Sequence, residues 1–134
     1  MIFREILEVK TEKSLDKIIL TKKIKAIVKS CGVKEGLCNI YCPATTCGFV
    51  VNENEPMLVK DIENMLRKIA PEDKLYQHPS NAYSHMRATF SRQDVTIPFS
   101  RGELILGTWE DIMLWEFDTH GRERKVIVTV VGDC

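Results

Sequence analysis

No apolar run in this sequence approaches the ~20 residues that a bilayer-spanning helix requires, so no segment reads as a membrane span. Charges interrupt the apolar positions of the first thirteen residues, MIFREILEVKTEK, and that stretch does not read as a signal peptide. Neither sign of charge is in surplus, with 19 Lys plus Arg against 19 Asp plus Glu. There is therefore no global basic field to draw nucleic acid or an anionic membrane surface. A near-neutral surface also keeps repulsion between copies low. No Asn-x-Ser/Thr acceptor, internal repeat, low-complexity run or linker is present, and no P-loop, dinucleotide fingerprint, nucleophile elbow or HExxH. Cys38-x3-Cys42-x4-Cys47 is loose for a zinc knuckle, and no second pair completes one.

What is present fits one cytoplasmic domain, residues 1–134. The apolar fraction of 44% is that of a globular chain long enough to bury a core without staples. Five cysteines, an odd number, read as reduced and mostly core thiols. Near-alternation makes Ile2–Lys10 a half-buried strand, with Leu15–Leu20 as its hairpin partner. Thr21 is placed as cap of a helix bearing Ile24, Ile27, Val28 and Cys31 at i, i+3, i+4 and i+7, and Gly32 as its left-handed stop. Strands are expected at Leu37–Tyr41 and Thr46–Asn52. A second helix begins at Pro56 behind Asn54 or Glu55, with a stripe of Leu58, Ile62, Met65, Leu66 and Ile69. A loop at Pro79–Asn81 leads into a third helical segment. Val95–Phe99, a turn at Ser100–Gly102, one long strand over Glu103–Asp118 and a last strand at Lys125–Val131 complete the chain.

Strands outnumber helices and no βαβ rhythm appears. The fold class is α+β, two mainly antiparallel sheets packed face to face with two or three helices. The last two strands read as apolar on both faces. Two helices cover too little for both, so the chain is expected to form a homo-oligomer.

Histidine is scarce, and two of the three sit in Tyr76–Phe90, YQHPSNAYSHMRATF. His78 and His85, with Asn81, Ser80, Ser84 and Arg87 nearby, can bind a metal, hold an anion or move a proton. They can equally be hydrogen-bonded structural groups. Glu53, in Asn52–Glu55, is a candidate general base or a solvated turn residue. Thr45, Thr46 and Gly48 suit close approach of a ligand, or an ordinary turn. Arg122 and Arg124 alternate, and two guanidinium forks on one face can hold a phosphate. Pairing with Glu116 and Asp118 across the hairpin is the competing arrangement. Trp109 reads as core or interface.

Taken in order, ATTCGFVVNENE, a helix carrying Asp61, HPSNAYSHMRA, GELILGTWEDIMLWEFD and RERKV resemble the YjbQ-like family, often labelled secondary thiamine-phosphate synthases. The similarity runs from about Thr21 to the C-terminus. It implies the packed-sheet α+β fold, a homotrimer with sites near subunit boundaries, and a weak ability to join a pyrimidine pyrophosphate to a thiazole phosphate. The family's polar set falls on Thr45, Thr46, Glu53, Asp61, His78, Asn81, His85, Thr108, Trp109, Asp118, Arg122 and Arg124. The resemblance thus points to a small phosphorylated ligand, with His78, His85 and Glu53 as catalytic candidates. Thr45, Thr46, Asn81, Arg122 and Arg124 are the binding candidates, and His78 and His85 the ligands of a divalent metal such as zinc. Two departures bear on this. The family reads His-Thr-Thr where this chain has Ala44-Thr45-Thr46, and the run from His78 to Asn81 is shorter than usual.

Overall fold

The longest strand, β8 (Glu123–Asp133), turns Arg124, Val126, Val128 and Val130 to one side, and all four are buried. That alternation makes it the organiser of a five-stranded sheet in a computed structural model describing Met1–Cys134. β1 (Ile2–Lys10) pairs antiparallel on one side of β8, in register from Ile2↔Val131 to Lys10↔Glu123, and β3 (Glu35–Tyr41) pairs antiparallel on the other. β5 (Asp94–Ser100) and β6 (Glu103–Leu104) extend it to the order β1-β8-β3-β5-β6. A second sheet has β2 (Lys17–Ile19), β7 (Asp111–Glu116) and β4 (Cys47–Asn52) in the order β2-β7-β4, also antiparallel.

The two sheets face each other across the larger core. Val126, Val128, Val130, Cys38, Ile40, Val95 and Ile97 from the first meet Phe49, Ile112 and Leu114 from the second. Helix α1 (Thr21–Ser30) adds Ile24, Ile27 and Val28. On the far side of the second sheet Met113, Trp115 and Phe117 pack with Val59 and Leu66 of α2 (Pro56–Ile69) and Ala88 of α3 (Ala82–Phe90). β7 is therefore buried on both faces, as its sequence suggests. Each of its enclosed aliphatic side chains, Ile112, Met113 and Leu114, is worth about 1.5–3 kcal/mol of transfer free energy. The fold is thus α+β with two packed antiparallel sheets and three helices.

Several local expectations are corrected. Leu15–Leu20 is no hairpin partner of β1. A left-handed φ of 60° at Leu15 turns the chain out of the first sheet, and the short β2 pairs with β7 instead. Position N-cap of α1 falls on Leu20, without a side-chain cap. Thr21 is inside the helix, its hydroxyl donating to Asp111 Oδ1 at 2.5 Å and accepting from the Ile112 amide at 3.0 Å. Glu103–Asp118 is not continuous: β6 stops at Leu104, and the Gly107 amide bonding Glu110 Oε1 closes a turn that leaves Trp109 73% exposed. Of the α2 stripe, Leu66 is buried while Met65 and Ile69 are exposed. The second face of β8 is open, with Val131 exposed, because no helix covers the outer side of the five-stranded sheet.

Other local signals hold. Glu55 caps α2, accepting from the Met57 and Leu58 amides, with Pro56 in the first turn. Gly32 has φ of 87° after α1. No helix is long and apolar enough to cross a membrane.

Candidate functional site

Three chain segments converge on a cavity of about 450 Å³: Cys42–Thr46 between β3 and β4, the start of α3, and Arg122–Lys125 entering β8. The first is a break in the strand, where Pro43 cannot donate to a ladder. The second is set by Ser80, whose φ of 70° is costly for a residue with a Cβ and swings the chain into α3 at Asn81. The third follows the Thr119–Gly121 turn. Thr45, Thr46, Asn81, His85, Arg122 and Arg124, all singled out from sequence, line this one cavity.

A hydrogen-bonded chain runs through its wall. Asn81 stands at the N-cap of α3, yet its side chain bonds none of the helix's amides. Its Nδ2 donates to Asp118 Oδ1 at 3.4 Å, and its Oδ1 faces His78 Nε2 at 3.2 Å. An ionised carboxylate only accepts, so Asp118 fixes the orientation of the amide, and the proton of the His78 bond lies on Nε2. Burial would raise the pKa of Asp118. Donation from the Thr119 amide, Arg122 and Asn81 outweighs it and holds the carboxyl below the usual aspartate range.

The two imidazoles touch edge to face, their centroids 4.9 Å apart at 77°. Only His85 lines the cavity; His78 is exposed and stands behind it.

The two arginines diverge. Arg124 is buried, with Nε and Nη2 on the two oxygens of Glu116 and Nη2 also on the hydroxyl and carbonyl of Thr46. Thr11 donates to the same Glu116 at 2.7 Å. Arg122 is half exposed and gives Nη1 to Asp118 Oδ2 at 2.6 Å, leaving its other nitrogens without a side-chain acceptor. The pairing with Glu116 and Asp118 is thus realised, but not within one sheet. β7 and β8 belong to different sheets, so the Arg124–Glu116 pair joins the two layers, while Arg122 and Asp118 pair within the turn that connects them.

Glu53 is not part of this cavity. Register places Cys47 opposite Glu116 and Asn52 opposite Asp111. Glu53 therefore lies just beyond the far end of β4, whose last residue Asn52 is about 17 Å along the strand from Cys47 at about 3.3 Å per residue. The exposed Thr108 and Trp109 precede Asp111 at that same far end. Gly48 admits no ligand either: a Cβ there would meet Ser91 Oγ at 1.8 Å, so the close approach is by the chain itself. Arg87 is fully buried and donates twice to the Ala70 carbonyl, tying α3 to the end of α2.

Sequence reasoning missed Lys125 in the cavity lining and Thr11 in the network on Glu116, while Cys42, close enough in sequence to stand in for the histidine that Ala44 replaces, does line the cavity. Lys125 was legible from RERK; nothing local marks Thr11. Cys42 and Cys47 are each 1% exposed, and their sulfurs lie 3.3 Å apart.

For a metal, the two imidazoles form one pair of donors and the Cys42 and Cys47 sulfurs another, and no group of three His, Cys, Asp or Glu converges anywhere in the chain. Catalytic zinc takes three protein ligands. Ala44 occupies the cavity wall where the resemblance expects an imidazole, so the residues present do not fit such a site.

The family model described as UPF0047 protein YjbQ-like matches residues 5–133. The chain belongs to that family. A UPF0047 protein of Archaeoglobus fulgidus is 39% identical over 125 residues, covering 91% of this chain and 96% of that one. One of Methanothermobacter thermautotrophicus is 33% identical over 134 residues, covering 98% and 93%. Among solved structures, a hypothetical protein from Aeropyrum pernix K1 superposes with a TM-score of 0.91 at 33% identity, covering 98% of this chain and 99% of that one. A YbjQ-like protein of unknown function from Sulfolobus solfataricus P2 gives 0.90 at 27% identity, covering 99% and 100%. The two solved structures carry the same fold, and none of these names assigns a reaction.

Proposed function

We propose that the cavity binds a small phosphorylated molecule. The observation that carries this is the division of labour between the arginines: Arg124 is consumed by Glu116, while Arg122 is oriented by Asp118 with free donors at the cavity. Lys125 and the exposed Thr45 line the same space. Formal charge cancels, with Arg122, Arg124 and Lys125 against Glu116, Asp118 and Glu123. Affinity then comes from placed donors, which gain strength against an ionised acceptor. His85 is the one imidazole at the cavity surface and the group able to pass a proton to a bound ligand. Titration calorimetry with inorganic pyrophosphate tests this: saturable binding supports it, and absence of heat at millimolar ligand counts against it.

If catalysis follows binding, the reaction the resemblance implies is the joining of a pyrimidine pyrophosphate to a thiazole phosphate with release of pyrophosphate. Rescue of a thiamine-requiring strain by this chain, lost with His85→Ala, is the expected sign. The second reading is a binding or structural protein that keeps the fold and has shed the chemistry. Ala44 in the cavity wall favours it. Near-stoichiometric zinc in the purified protein would overturn the two-donor argument above.

We also propose a homotrimer. Glu53, Thr108 and Trp109 lie at the far end of the second sheet from His85 and Arg122, although the resemblance groups them in one site. A neighbouring copy brings the two ends together without any change in the fold.

A further inference from the structure

We propose that Cys42 and Cys47 are a reversible dithiol–disulfide pair that a hydroperoxide oxidises through the cavity. Three observations converge. The sulfurs are already in contact at 3.3 Å, and a bond of about 2.05 Å needs them to close by little more than about 1 Å. Both are 1% exposed, yet Cys42 is one of the residues that line the cavity, which is the side from which an oxidant as small as hydrogen peroxide would approach the pair. The pair also spans the two layers: Cys42 follows β3 of the five-stranded sheet and Cys47 opens β4 of the other.

The two thiols are not equivalent. The hydrogen bond with Cys47 draws the Cys42 thiol down against the effect of burial, with the Arg124 charge assisting. The same hydrogen bond and burial push Cys47 up. Cys42, the one of the two that lines the cavity, is the attacking sulfur, and Cys47 behind it the resolving one. In the first step the Cys42 thiolate takes one oxygen from the peroxide, becoming the sulfenic acid. The hydroxide released recovers the proton that Cys42 gave up, forming water. In the second step the Cys47 sulfur displaces hydroxide from the sulfenic sulfur, and its own proton completes a second water. Two thiols lose two electrons and two protons, and one peroxide takes them up to become two waters.

The ring so closed contains Pro43, Ala44, Thr45 and Thr46, the wall that faces His85 and whose Thr46 holds Arg124. Oxidation restrains that wall. This does not depend on what the cavity binds.

The test is a thiol count on the intact protein. After treatment with hydrogen peroxide, the protein is unfolded and alkylated. Three cysteines are expected to take label (31, 38 and 134) in place of five, with a peptide linking Cys42 to Cys47 that dithiothreitol releases. Cys47→Ser is expected to leave Cys42 as a sulfenic acid that a dimedone probe traps. Native amide exchange at Ala44, Thr45 and Thr46 should slow on oxidation and recover on reduction. Five labelled cysteines after treatment, or a link confined to Cys134 between copies, would overturn the proposal. Because the wild-type peptide map needs no variant, a misfolded mutant leaves the test intact.

Discussion

Arg122 and Arg124 sit two residues apart at the head of β8, and their partners give them opposite roles. Arg124 is sealed on Glu116 with 6% of its side chain exposed, whereas Arg122 holds Asp118 by one nitrogen and remains 45% exposed. The first joins the layers of the fold; the second is free to meet a ligand. Most of what can be tested about this protein follows from that division.

Removing one partner of the sealed pair strands the other. Glu116→Ala is expected to lower stability by about 3–5 kcal/mol, the cost of leaving a buried charge unpaired. Urea unfolding followed by circular dichroism measures it. Glu116→Leu combined with Arg124→Met removes both charges and should recover most of the loss. A double variant no better than the single would mean that the pair is worth more than its desolvation.

Arg122 should behave differently. Arg122→Ala is expected to weaken pyrophosphate binding by tenfold or more, from the roughly 1.5–3 kcal/mol of a hydrogen bond to a charged group. Its unfolding midpoint should move far less than that of Glu116→Ala. Calorimetry on the two variants side by side separates the roles. Equal affinity for wild type and Arg122→Ala would remove this residue from the site.

Asp118 makes the site sensitive to acid. Its folded pKa lies below the ordinary aspartate value of 3.8 because its donors outweigh its burial. A depressed carboxylate contributes stability that is whole above the unfolded pKa and is lost as pH falls through the folded one. Wild type should therefore lose stability below about pH 4, the ordinary aspartate range, and Asp118→Asn should lose less over that interval. Thermal melts from pH 6 down to pH 3 check this, and parallel curves for the two proteins would contradict it.

The sheet and helix content was legible because periodicity is local: alternation in β8 and β1 and the stripe of α1 each announce an element. Pairing was not. Nothing in Lys17–Ile19 states that it joins β7 and leaves β1 to β8, because the choice rests on the Leu15 turn and on which core each face can enter. The site was half legible for the same reason. Asn81, His85, Thr45, Thr46 and the arginines stand out by residue type, and the cavity unites them. Glu53 stands out equally by type, but the antiparallel register of β4 on β7 carries it to the wrong end. The sequence neighbourhood of Gly48 hides Ser91, which approaches from after α3.

Gly48 gives a steric test of that last contact. A methyl group there collides with Ser91 Oγ and lies 3.1 Å from the Arg92 carbonyl, in a tightly filled region. Gly48→Ala is expected to destabilise by about 1–3 kcal/mol, as overpacking does. Ser91→Gly in the same chain should restore a good part by clearing the nearest atom. Full stability of Gly48→Ala alone would show that Ser91 turns away without cost.

The outer face of the five-stranded sheet carries the last prediction. Register lines up Ile2, Val131 and Leu37 in one rung and Ile6, Ile127 and Tyr41 in another. Apart from the half-buried Ile127 these are exposed, and no helix of the chain lies over them. The polar rung of Arg4, Thr129 and Asn39 lies between the two on the same face, and exposed apolar patches bordered by polar residues in this way mark association sites. With formal net charge zero, little repulsion opposes a second copy. The protein should therefore scatter light as an oligomer at micromolar concentration, and Ile6→Glu should shift it toward monomer. That variant buries nothing new and breaks no hydrogen bond of the chain, so its monomer should keep the wild-type far-ultraviolet dichroism. A wild-type monomer at the same concentration would refute the homotrimer. A stable oligomer in Ile6→Glu would instead move the interface to the Trp109 end of the molecule.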